Sequence, residues 1–238
     1  MIIINEYLTH FIGNLNADYQ DSINNLSNGQ LYFLPNDNCS HIAFHAWHFV
    51  RTQDNIINFV CQNRKPPIWI KQGLFEKWGL PKVAQGTGMA RAEANALRLP
   101  SLDAFLQYAR DVWTDIEPYL ASMSEEELQT MVLVQGQGEQ TKLRHIMQTV
   151  ITHGNRHLGQ IMVLRSLQGL PGESIEDHPL RGTRTFTGPF DLFSFSANDS
   201  EICRSSSGVT RSQVRNRSRS YFRRVQSLGD ARDFDGVA

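Results

Sequence analysis

Apolar residues recur at spacings of three and four between residue 5 and about residue 170, and they divide that stretch into four long segments. Tyr7, Leu8, Phe11, Ile12, Leu15, Tyr19, Ile23 and Leu26 predict an amphipathic first helix over 5 to about 28. Ser27-Asn28-Gly29 is expected to close it. A second helix is predicted over about 40–63, with Ser40 as its N-cap and Arg64-Lys65-Pro66-Pro67 as its stop. Trp47, Phe49, Val50, Ile56, Ile57, Phe59 and Val60 make it apolar over most of its girth, which suits a central position. The third begins at Ser101-Leu102-Asp103 and runs past Trp113 and Ile116, with Pro118 near its end as a candidate kink. The fourth, from about Thr141 to Gln168, carries Leu143, Ile146, Val150, Leu158, Ile161 and Leu164, and Gly169-Leu170-Pro171-Gly172 ends it. Four such helices with mostly short connections describe an all-α four-helix bundle.

The connection from 66 to 100 is the exception. It is a long irregular crossover between helices two and three, with Trp69, Phe75 and Trp78 set among glycines and one short helix expected at about 89–97. A segment of that length is suited to lid a site, and its aromatic residues require that part of it packs. Ser124-Glu125-Glu126-Glu127 has the form of a capping box opening a short helix, and Val132-Leu133-Val134 reads as a brief extended piece. From about Thr183 the helical period is lost and Ser, Arg, Asp and Gly dominate. Two regions result: residues 1–182 as the bundle and 183–238 as a Ser/Arg-rich tail predicted to be disordered.

Charge follows the same division. The net charge of −1 over 238 residues conceals nine basic and six acidic side chains from residue 183 onward, against 14 and 18 before it. A mildly acidic body offers no basic surface for nucleic acid, so such binding is expected, if anywhere, through the tail. Cys39, Cys61 and Cys203 are odd in number and far apart, which is no disulfide framework and suits a reducing, cytoplasmic setting. Met1-Ile2-Ile3-Ile4 is too short an apolar start for a signal peptide. No run reaches the ~18 apolar residues of a membrane span.

Histidine placement supplies the candidate chemistry. His153 and His157 lie four apart on the fourth helix, about 40° apart around it and roughly 6 Å along it, so both rings can reach one point beside the helix. That is what a shared metal ion requires. The pair also fits one core and one surface histidine, but Gly154 and Gly159 flank it at a cost in helix propensity, which points to close approach by a neighbour or ligand. On the second helix His48 is the first candidate for a third ligand, and His45 the second. His41 stands about 10.5 Å of helical rise from His48, too far to share a small site with it. His145, about 12 Å from His153 along the axis, reads as structural. His10 and His178 have no evident partner. Asp54 fits a general base or an acceptor behind the ligands, and equally an ion pair with Arg51.

A helix-two Trp-His-x-x-Arg-Thr-x-Asp segment (Trp47 to Asp54) and a fourth-helix His-x-x-x-His-x-Gly-Gln segment (His153 to Gln160) resemble the DinB-like superfamily of four-helix-bundle proteins. The resemblance spans about residues 5–172 and includes Leu97-Arg98-Leu99-Pro100-Ser101 before the third helix. It implies a divalent metal, zinc or nickel, on residues matching His48, His153 and His157. Leu158 stands where the family pattern has arginine after the second ligand. Members of that superfamily include transferases of low-molecular-weight thiols such as bacillithiol and mycothiol, and a thiol-dependent maleylpyruvate isomerase. The expectation is therefore a homodimeric, metal-dependent enzyme that transfers such a thiol to an electrophilic small-molecule substrate, or carries out a related hydrolysis, with Asp54 as its catalytic acid–base group. The alternative is a non-catalytic metal-binding stress or interaction protein on the same bundle.

Overall fold

In the computed structural model the described residues are 4–134 and 138–171; the tail from 183, His178, Cys203 and Gly136 lie outside them. Four long helical runs form the bundle. Helix α1 (Ile4–Ile23) ends where Asn25 takes a left-handed conformation (φ 62°). Ser27 does not close α1 as expected. It instead opens the short helix α2 (Asn28–Leu31), whose Gln30 reaches back to the Ser27 backbone in a capping box. Helix α3 (Ile42–Gln53) continues directly into a π-helical segment, Asp54–Val60. Its N-cap is His41, not Ser40: His41 Nδ1 accepts from the Phe44 amide at 3.0 Å, while the Ser40 hydroxyl accepts from Arg91 at 2.6 Å.

The crossover contains three short helices, α4 (Ile68–Lys71), α5 (Leu74–Trp78) and α6 (Arg91–Ala96). Helix α7 (Leu102–Ser122) starts at a Ser101 N-cap and runs on past Pro118. It tolerates the proline because the residue one turn back, Thr114, is exposed, so the unbonded carbonyl can meet water. Ser124 caps α8 (Glu125–Gln129), but Glu127 does not return to complete a box; its carboxylate takes the Tyr119 hydroxyl at 2.7 Å and Lys142 Nζ at 3.0 Å. The extended piece is the first strand of a hairpin, β1 (Met131–Val134) against β2 (Gly138–Thr141), antiparallel with Met131 opposite Thr141. Thr141 then caps the last run: α9 (Lys142–His145), a π segment over Ile146–Thr152, and α10 (His153–Leu167).

Around the bundle α1 packs on α7 and α10, and α3 on α10 and α7. The core follows from the apolar stripes. Leu8, Ile12, Leu15, Tyr19, Trp47, Phe49, Phe105, Val112, Val150 and Ile161 are all buried, and α3 is buried along its whole length. A cluster of edge-on aromatics, Trp47, Trp69, Trp78 and Tyr108, fixes the start of the crossover to α3 and α7. Among the described residues no helix is long and apolar enough to cross a membrane.

Candidate metal centre

His48 comes from the middle of α3, and His153 and His157 from the first two turns of α10. The helices face each other, and the three rings meet between them. His153 Nε2 lies 3.2 Å from His48 Nε2 and 3.0 Å from His157 Nε2, and one ring nitrogen of each histidine lies within 4.8 Å of the other two. Nitrogen ligands at 2.0–2.1 Å on a tetrahedral ion stand about 3.3 Å apart. Ring planes cross at 84° and 85°, so the three imidazoles form a tripod rather than a stack.

Electrostatics favours neutral rings. Burial pushes His48 down to about 4, against the support of a bond to the Gln85 carbonyl, and the neighbouring His153 lowers it further. His157 is pushed down to about 3 by burial, then by His48, His153 and His45. His153 is lowered by burial and by Arg156. Neutral imidazoles offer lone pairs, and converging lone pairs in a half-dry site repel one another unless a cation or a shared proton lies between them. The donor set therefore fits a divalent ion.

Groups behind the ligands orient them. His48 Nδ1 bonds the Gln85 carbonyl, which leaves Nε2 to face the cluster. Gly86 makes that contact possible. Its φ is +101°, and a Cβ there would stand 2.8 Å from His48 Nδ1. His45 does not enter the cluster as a ligand; its Nδ1 lies 2.9 Å from His157 Nδ1, on the far side of that ring. Gly154 seats α10 against α1 and α3. A Cβ on it would come within 2.5 Å of Phe49 and 2.8 Å of Leu15, and its carbonyl accepts the Tyr19 hydroxyl at 2.9 Å. Gly159 faces open space, so the close approach expected there is absent. Leu158 is half-buried against the core.

Asp54 is fully buried, one and a half turns beyond His48. Its Oδ1 accepts from Asn58 and from the Ile68 amide at 2.8 Å, and its Oδ2 from the Trp69 amide at 2.9 Å and the Tyr108 hydroxyl at 3.0 Å. The Arg51 guanidinium sits 3.8 Å away. No hydrogen bond among the described residues links Asp54 to the three histidines. Of the others, His145 is fully buried outside the cluster, His41 caps α3, and His10 pairs with Asn14 on the surface.

By comparison with known families, residues 15–161 fit the DinB superfamily. The chain belongs to the DinB superfamily. Its fold is also that of a solved protein, described as a conserved protein of locus from Enterococcus faecalis, at a TM-score of 0.61 and 17% identity, covering 70% of this chain and 98% of that one. No curated protein matches the chain. As a DinB superfamily member it carries a three-histidine cluster that could hold a metal. The Gln85 carbonyl and the parts played by His45, Gly86 and Tyr19 were not foreseen. The glycine at position 86, in the middle of the crossover, was the available signal, since a backbone carbonyl has no residue identity to read.

Proposed function

We propose that His48, His153 and His157 hold a divalent ion, zinc or nickel, and that this DinB protein is an enzyme transferring a low-molecular-weight thiol of bacillithiol or mycothiol type to an electrophilic substrate, or performing a related hydrolysis. The observation that carries the metal assignment is the convergence of three neutral ring nitrogens at ligand spacing. With only three protein ligands, such an ion keeps open positions and supplies Lewis-acid activation of a bound thiol or water. The chain's own part is to keep the rings unprotonated through burial, to aim His48 through Gln85, and to aim His157 through His45. Asp54 serves here as a positioning residue: it fastens the end of α3 to the start of α4 and to α7.

Elemental analysis of the purified protein tests the site. About one ion per chain is expected, lost in His48→Ala and in His153→Ala. A wild type that stays metal-free after reconstitution with zinc and with nickel would overturn the assignment. Metal without turnover across a panel of thiols and electrophiles would favour the non-catalytic binding protein.

A further inference from the structure

Arg156 sits on α10 between two of the candidate ligands, three residues after His153 and one before His157. Side chains three apart on a helix are surface neighbours, with Cβ atoms about 5–6 Å from each other. The Arg156 guanidinium therefore belongs to the rim of the cluster on the His153 side. It is exposed and makes no hydrogen bond or ion pair among the described residues. Arg91 comes from the crossover. Its Nη1 donates to the buried Ser40 hydroxyl at 2.6 Å, which leaves the other donors of the guanidinium free. Ser40 directly precedes the His41 cap of α3, and His45, one turn in, has its Nδ1 2.9 Å from that of His157.

The rings feel both charges. Burial, His48 and His41 lower His45, and Arg91 adds to them; burial and then Arg156 lower His153. No carboxylate is among the groups that shift His45, His48, His153 or His157. Glu93 is two residues from Arg91, a spacing that turns the side chains to different sides of α6. Asp54 gives its oxygens to the α4 amides and Tyr108. The residues before 183 carry 18 acidic side chains against 14 basic ones, so a surround of cations alone is not the general character of the body. Such a surround also opposes a divalent ion, because like charges repel. An anion bound at the rim removes that conflict, since the ion and both arginines attract it.

We propose, resting on the metal reading above, that the histidine centre takes a thiol that carries a carboxylate. The sulfur faces the three rings, and the carboxylate lies at the rim, where Arg156 and the free donors of Arg91 receive it. Guanidinium suits this task, since its planar fork matches a carboxylate with two parallel hydrogen bonds. A neutral thiol forgoes both contacts, and a cationic one is repelled by the arginines and the ion alike.

Cobalt(II) reconstitution tests this without turnover: d–d absorption reports uptake of the ion, and the sulfur-to-cobalt charge-transfer band reports thiol binding. At low salt 3-mercaptopropionate should bind about fivefold more tightly than 2-mercaptoethanol, the scale of a partly exposed ion pair. That preference should shrink between about 20 and about 300 mM salt. Arg156→Gln and Arg91→Gln, the latter keeping a donor for Ser40, should each reduce it about threefold, and Arg156→Glu should abolish it. Arg156→Lys, which keeps the charge, should retain most of it. Arg110→Gln, at an exposed position on α7, should leave the preference as in the wild type. Absence of cobalt uptake would overturn this proposal together with the metal reading. Uptake with equal binding of the two thiols, or a preference that survives Arg156→Glu, would overturn this proposal alone.

Discussion

His45 offers the cluster no lone pair, yet it decides which nitrogen His157 can offer. A ring that turns Nε2 toward an ion carries its proton on Nδ1, and an acceptor within reach is His45 Nδ1 at 2.9 Å. Replacing it with phenylalanine should lower metal affinity by about 10- to 100-fold, the usual effect of losing such an outer partner. His45→Gln, which restores an acceptor, should recover much of it; chelator competition measures both. Equal affinities in all three proteins would mean that His157 is aimed by packing alone. His41 yields a pH effect. Burial and the nearby Arg98 push it down to about 4 from 6.5, and its unprotonated Nδ1 caps α3. The unfolded chain therefore takes up the proton first as pH falls, and the stability His41 contributes is full above 6.5 and lost progressively toward 4, up to about 3 kcal/mol. In His41→Ser, which keeps a cap, that part of the acid slope should vanish; urea titrations at pH 7 and 4.5 on both proteins isolate it from the slope of the other buried histidines. At this scale His153 and His157 were legible because helical spacing brings their rings to one side, whereas His48, on another helix, was legible only as the first of two candidates and through the family resemblance. Gly154 and Gly159 looked alike in the sequence, and only the position of Phe49 and Leu15 tells them apart.

Between elements, the junction at Asp54 holds more of the structure together than any other polar group described. Its carboxylate receives the first amides of α4, the Tyr108 hydroxyl of α7 and Asn58 of its own π segment, and it is the counter-ion of buried Arg51. Asp54→Ala would strand those donors and leave Arg51 unpaired. A loss of about 3–5 kcal/mol is expected, typical of removing one partner of a buried ion pair, and chemical denaturation would measure it. A stability loss under 1 kcal/mol would show that Asp54 is not a structural tie. The four long helices were legible from apolar periodicity. The π segments Asp54–Val60 and Ile146–Thr152 were not, because a π turn holds only about one more residue than an α turn and seven residues are too few to shift a periodic pattern visibly. The cap of α3 was misplaced for a related reason. Serine is the usual cap, but here Arg91, 51 positions away, occupies it, and a contact that distant leaves no local trace.

For the molecule as a whole, the crossover works as a strap over the ligand helix rather than as a loose lid. Asp54 holds its start, the Trp69 indole bonds the Pro81 carbonyl within it, Gln85 rests on His48, and Arg91 and Asn95 are tied to Ser40 and Cys39. The sequence showed that a segment rich in tryptophan must pack, and could not show onto what. The strap and the extensive core together mean that the ligand rings are already placed by a folded scaffold. Zinc fingers, by contrast, fold only when the ion arrives. Entry of an ion into such a site covers little apolar surface that was not covered already. A calorimetric titration with zinc, repeated between 10 and 35 °C, should therefore give a heat of binding nearly independent of temperature once buffer protonation is subtracted. A strongly negative slope would mean that the apo protein is open between α3 and α10, and that the ion closes it.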